Sequence, residues 1–282
     1  MNKAFSALLS LFIISSLTII SCEKAGVNPD TLGASVEEST LATEISSGIF
    51  VELSSFLAES EGLFAVSKQG FQVMDAENST RSCIDVRFTP QDNTWPKTLT
   101  IDFGEGCTTG EVSRKGRMIA VLSDRFQNTG AQITLSFENF EINGRKIESS
   151  QTITNNGPNA AGIVSFTHKI LSLRISSDDK TSSLTSENTI EWIEGSSTAA
   201  PADDVFAISG ESSGVNTGGD AYSAEIISPL IKKVACTYIV SGSSIIRSAA
   251  SEVTMDYGTG DCDDKAVLNS AGEAREITLA KR

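Results

Sequence analysis

The sequence predicts a mainly β protein, an antiparallel up-and-down meander (open curved sheet, half-barrel or sandwich) with one N-terminal amphipathic helix. Three observations carry this expectation. From Cys83 onward, apolar residues come in short alternating runs with turn residues between them. Valine, isoleucine, threonine and serine are abundant and leucine-rich helical runs are scarce, a composition that suits a half-buried pleated surface. One stretch also occurs twice. Cys83-Ile-Asp-Val-Arg-Phe leads to Thr98-Leu-Thr-Ile-Asp-Phe-Gly-Glu-Gly-Cys107, and Cys236-Thr-Tyr-Ile-Val-Ser leads to Glu252-Val-Thr-Met-Asp-Tyr-Gly-Thr-Gly-Asp-Cys262. Each copy has the layout of a hairpin with a cysteine at either side of its open end.

Residues 1–21 form the most specific local signal. Lys3 gives a short positive start, Ala4 to Ile20 is mostly apolar, and Ile19-Ile20-Ser21-Cys22 closes the segment. The apolar stretch is short for a membrane span, contains several serines and lacks a positive flank at its end. It resembles a bacterial lipoprotein signal peptide, and that resemblance implies Cys22 as the lipid-modified first residue of the mature chain. Five cysteines are an odd set; four fall into the repeated pairs, which leaves Cys22 over. Acyl chains on Cys22 would supply the several anchors that stable membrane attachment needs.

Residues 22–33 contain Gly26, Pro29 and Gly33 without periodicity and read as a tether. A helix follows at 34–61, strongest from Ser35 to Glu59. Leu41, Ile45, Ile49, Leu53 and Phe56/Leu57 recur at three- and four-residue steps and define one stripe. Glu37, Glu38 and Glu44 would sit early in it, where the helix dipole favours carboxylates, and Gly62 is a plausible stop. Residues 62–282 make up the β body. Strands are expected at 83–88, 98–104, 112–123, 131–142, 145–154, 162–175, 184–194, 205–213, 220–229, 234–242, 250–257 and 264–280, the last broken at Gly272. Asn143-Gly144 is a two-residue hairpin turn, because both positions need positive φ. Asn155-Asn156-Gly157-Pro158 reads as another turn, and 195–204 as a loop and possible seam between two halves.

The two hairpins, 83–107 and 236–262, place their cysteines opposite each other, so Cys83–Cys107 and Cys236–Cys262 can form disulfides without distortion. Closing about 25 residues of chain is worth at most about 3.5 kcal/mol on the chain-entropy account, and such bonds persist in an exported protein. Zinc is disfavoured, since the cysteines lack close pairing and the single histidine, His168, is remote from them in sequence. The same scarcity of histidine argues against a catalytic thiol. Gly104-Glu-Gly106 does not continue into a dinucleotide fingerprint and is better read as a tight turn. Asp256, Asp261, Asp263 and Asp264 crowd around Cys262 and form a weak candidate for calcium; an acidic exposed turn is the commoner meaning.

A formal net charge of −14 argues against nucleic acid as a partner, because phosphate binding needs concentrated basic surface. Arg114-Lys115-Gly116-Arg117 is the most basic patch, a solubilising cluster or a contact for anionic lipid or glycan. Trp95, Trp192, Tyr222, Tyr238 and Tyr257 suit core and rim positions, and a sugar-binding face less well. No nucleophile elbow or selected carboxylate pair marks an active site.

Several phrases together resemble a family of Bacteroidota-type exported lipoproteins of unassigned activity. They are Ile101-Asp-Phe-Gly-Glu-Gly-Cys107, Phe137-Glu-Asn-Phe140 with Asn143-Gly144, Thr152-Ile-Thr-Asn-Asn-Gly157, Trp192-Ile-Glu-Gly195 and Met255-Asp-Tyr-Gly258 with Cys262. The resemblance implies a β-rich body tethered to the envelope and carries over no catalytic residue. The expectation is therefore a non-enzymatic, cofactor-free protein held to the outer membrane through lipidated Cys22 and serving as a scaffold or binding module. A lipid or lipoprotein carrier, with the helix covering an apolar pocket, and a surface carbohydrate-binding module are the alternatives.

Overall fold

In a computed structural model of the chain, residues 29–66, 83–198, 200–249 and 251–281 are described. The expected leader and residues 22–28 of the tether lie outside them. One helix, α1 (Pro29–Val66), precedes fourteen strands: β1 (Asp85–Thr89), β2 (Lys97–Asp102), β3 (Cys107–Thr109), β4 (Val112–Leu122), β5 (Gln132–Ile142), β6 (Arg145–Pro158), β7 (Val164–Ser177), β8 (Lys180–Glu194), β9 (Val205–Val215), β10 (Ala221–Lys233), β11 (Ser241–Ser248), β12 (Ser251–Thr259), β13 (Lys265–Ser270) and β14 (Glu273–Thr278).

Every pairing is antiparallel between chain neighbours, apart from β2, which pairs with β4 while the short β3 pairs with the start of β4. Among the described residues the result is one open sheet that ends at β1 and β14. The two-residue turn Asn143-Gly144 joins paired Ile142 and Arg145, and both turn residues have positive φ.

The sheet curls around α1. Glu52 of the helix meets Arg114 of β4, Phe50 meets Phe166 of β7 and Phe206 of β9 edge-on, and Ser35 meets Ser248 of β11. Helix and inner strand face form a single apolar core. Between Ser35 and Leu57 only Glu37, Glu38, Thr43 and Glu52 are not buried. The expected stripe is buried, but burial is not confined to it: strands cover the helix on nearly every side, so its serines and Thr40 are buried beside its leucines. The Leu32–Ala58 stretch is long and apolar enough to cross a membrane, yet most of it lies inside the protein.

Other boundaries differ for local reasons. The helix starts at Pro29, a residue suited to a first turn because its missing N–H is not needed there, and it runs through Gly62. Glu37, Glu38 and Glu44 therefore lie in its interior rather than its first turn. Asn155 to Pro158 belongs to β6, as a register shift beside Gly157. The Asn155 carboxamide bonds to Phe126 O and Gly157 N, which uses the turn-forming residues as a bulge. The strand expected at 234–242 lies at Ser241–Ser248, and 234–240 is irregular. Residues 195–204 are no seam, since β8 and β9 pair from Ser183–Val215 to Glu194–Val205.

Candidate functional surface

The repeated sequence is a repeated structure. Asp102 Oδ1 accepts the amide of Gly104 at 2.8 Å, and Asp256 Oδ1 accepts that of Gly258 at 2.9 Å. In both copies the aromatic between them turns inward, Phe103 and Tyr257 being buried. A disulfide follows each: Cys83–Cys107 and Cys236–Cys262, with Cα separations of 5.5 and 5.2 Å. The first staples the open end of the β1–β2 hairpin. The second joins the irregular segment before β11 to the loop after β12, so it closes the open end of the β11–β12 hairpin from outside the strands.

The acidic residues near Cys262 form no cation cage: among the described residues no three His, Cys, Asp or Glu side chains converge. Asp256 is occupied by Gly258, and Asp263 accepts the amide of Lys265 at 2.9 Å.

The basic patch divides. Arg114 is buried, its Nε donating to Glu52 Oε2 at 2.7 Å and its Nη1 to Thr109 Oγ1 at 2.9 Å, with the guanidinium over Phe103. Lys115 pairs with Glu141, and Arg117 with both Asp102 and Glu138. Four of the five Trp and Tyr residues are buried, which leaves only Trp95 half-exposed.

Sequence reasoning passed over a set of buried polar ties. Glu44 and Lys232 have side chains that are 0% exposed, with Oε2 and Nζ 3.6 Å apart. Glu44 Oε1 accepts the amide of Ile239 at 2.9 Å, and Lys232 Nζ donates to the carbonyl of Thr237 at 2.5 Å. The helix is thereby tied to the segment that bears Cys236. A lysine in an alternating strand and a glutamate on a helix carry no mark of burial, so only the wrapping of the sheet reveals the pair.

His168 is also buried. Its Nε2 lies 2.8 Å from Gln151 Oε1, and burial lowers its pKa to about 4. It borders a crevice of about 30 Å³ walled also by Thr43, Ser47, Asn188, Ser212 and Ser244. That is room for about one or two waters; drug-sized ligands take pockets of roughly 300 Å³ or more. Asp204 accepts from Trp192 Nε1 at 3.1 Å, and burial raises its carboxyl to about 6.

At the end of the sheet nearer the helix C-terminal half, three connections are held by hydrogen bonds within themselves and to neighbouring strands. In 123–131, Asn128 Nδ2 donates to Asp124 Oδ2 and Gly130 N to Asn155 O. In 159–163, Asn159 Oδ1 accepts two backbone amides while its Nδ2 reaches Glu191. In 195–204, Thr198 binds Asp203 and Asp204 binds Trp192.

Comparison with protein-family models, with curated proteins and with solved structures gives no match.

Proposed function

We propose that the chain is a lipid-anchored bacterial envelope protein whose β body acts as a non-enzymatic scaffold or binding module, of the exported-lipoprotein kind that its motifs resemble. The observation that carries this reading is cysteine bookkeeping. Four body cysteines are paired in two disulfides, and the fifth stands alone, directly after an apolar leader. Two staples fit an oxidising compartment, and a thiol excluded from them at that position fits acylation. The buried ionisable groups support a structural role, since Arg114, His168, Asp204 and Lys232 each serve as a tie between elements.

The carrier alternative required space between helix and sheet, and side chains of the helix itself fill that concavity. The glycan alternative drew on exposed aromatic residues, and four of its five candidates are in the core. Intact-mass analysis of membrane-extracted protein tests the main reading. The expected mature chain begins at Cys22 and carries acyl groups. A mature terminus elsewhere, or an unmodified Cys22, would overturn it. Protease shaving of intact cells then reports whether the body faces the periplasm or the exterior.

A further inference from the structure

We infer that the body stands end-on to the lipid surface, with the helix N-terminus and the β7–β8, β9–β10 and β11–β12 turns membrane-proximal and the loops 123–131, 159–163 and 195–204 pointing away. The inference rests on the proposed anchoring at Cys22 and adds an orientation to it.

Two lengths decide it. Only six residues separate Cys22 from Pro29, where the helix begins. Seven Cα steps reach at most about 25 Å even when fully extended. The helix N-terminal part is in turn fixed to one end of the sheet. Ser35 Oγ donates to Ser248 and accepts from Asn216 Nδ2, and Glu38 receives both the amide and the hydroxyl of Thr217. The β7–β8 turn lies beside this end, because Ser183 pairs with Val215.

The opposite loops belong further along the helix. Phe50 contacts Phe166 and Phe206, Phe126 stacks on Phe166 at 4.8 Å, and the helix also packs against the turn Pro201–Asp203. From Ser35 to Phe50 the helix advances about 22 Å. The loop cluster is therefore carried outward by roughly the reach of the tether itself. Charge adds no pull toward the lipid. Glu37, Asp178, Asp179 and Asp220 are exposed at the proximal end and oppose close contact with anionic headgroups. The tether, rather than adhesion, then sets the spacing.

Energy transfer to a headgroup acceptor tests the orientation. The acylated full chain is placed in phosphatidylethanolamine–phosphatidylcholine vesicles that carry a rhodamine-labelled lipid. A fluorescent amino acid replaces either Lys180, at the β7–β8 turn, or Ser197, in the 195–204 loop. A second pair, Asp220 and Gln127, guards against a misfolded variant. Transfer from Lys180 and Asp220 is expected to exceed that from Ser197 and Gln127 at least twofold. Equal or reversed transfer, with Cys22 acylation confirmed by mass on the same sample, overturns the orientation while leaving the anchor intact. A chain without acyl groups sinks both.

Discussion

The Glu44–Lys232 pair sets the clearest test at the scale of single residues. Removing one partner from a buried ion pair strands the other charge and costs about 3–5 kcal/mol, whereas replacing both by apolar groups can be nearly neutral. Glu44→Gln should therefore destabilise the fold by several kcal/mol, read from its urea midpoint. The double variant Glu44→Leu with Lys232→Met should recover part of the loss, the rest reflecting the Ile239 amide and Thr237 carbonyl left without their side-chain partners. A double variant as weak as the single one would show that the pair does not act as a unit. Asp204 and His168 add a pH signature with opposite signs. Asp204 titrates near 6 when folded against 3.8 for an ordinary aspartate. Between those values the folded chain keeps a proton that the unfolded chain has lost, so this residue makes stability fall as pH rises. His168 titrates near 4 against 6.5 for an ordinary imidazole. Here the unfolded chain takes a proton that the folded chain refuses, so stability falls as pH drops from 6.5 towards 4, by about 3 kcal/mol for this group. Asp204→Asn should steepen the acid-side loss and His168→Gln should flatten it, read as urea midpoints between pH 4 and 7. Parallel profiles for all three proteins would contradict these assignments.

At the scale of elements, the sequence was most legible where a short motif dictates its own geometry. Asn143-Gly144 needs positive φ at both positions and forms a two-residue turn. The Asp-aromatic-Gly phrases bind their own backbone, so both copies were readable as strand ends that lead to a staple. Asn155-Asn156-Gly157-Pro158 misled because the same residues that make turns also make bulges, and a tertiary contact from Phe126 decides between them. Arg114 misled in the same way: its burial depends on Glu52, distant in sequence. Gly116 shows what such long-range geometry demands. Its φ is +77°, and a Cβ there would lie 2.2 Å from the carbonyl oxygen of Asn139, where the β4–β5 register shifts. Backbone cannot retreat as a flexible side chain would, so Gly116→Ala should destabilise by about 2 kcal/mol or more. A neutral Gly116→Ala would mean the bulge is not as described. The outer face carries a milder strain. Glu187, Glu211 and Glu225 stand directly across from one another on β8, β9 and β10, with Lys169 and Arg247 bonded to the outer two. Like charges opposed across strands are unfavourable, so Glu211→Lys should raise stability by about 0.5 kcal/mol at low salt and by less at high salt.

For the whole molecule, the helix is the part of the core that the sheet cannot supply. An open sheet leaves its apolar inner face to be covered by another element, and Ile45, Ile49, Phe50, Leu53 and Leu57 occupy its centre at 1% exposure or less. Truncating a single large apolar core side chain to alanine costs about 2–5 kcal/mol, so losing five together, about 10–25 kcal/mol, is comparable to or larger than the roughly 5–15 kcal/mol that holds a domain folded. The sequence disclosed the helix through its periodicity, yet periodicity is blind to what surrounds a helix. A stripe packed on a sheet and a helix wrapped by one share the same leucines and isoleucines. The buried Ser39, Ser47, Ser54 and Ser55 are what distinguish them. The hydroxyls of Ser47, Ser54 and Ser55 donate to carbonyls three or four residues back, which makes polar residues compatible with all-round burial. A chain beginning at residue 67 should accordingly retain β-type far-ultraviolet dichroism but lose its near-ultraviolet signal and cooperative unfolding, with both disulfides oxidised. Adding a synthetic 29–66 peptide should restore the cooperative transition in proportion to peptide concentration, because any ligand that binds only the folded state stabilises it by mass action. A truncated body that unfolded cooperatively on its own would show that the sheet is self-sufficient and that the helix is cargo rather than core.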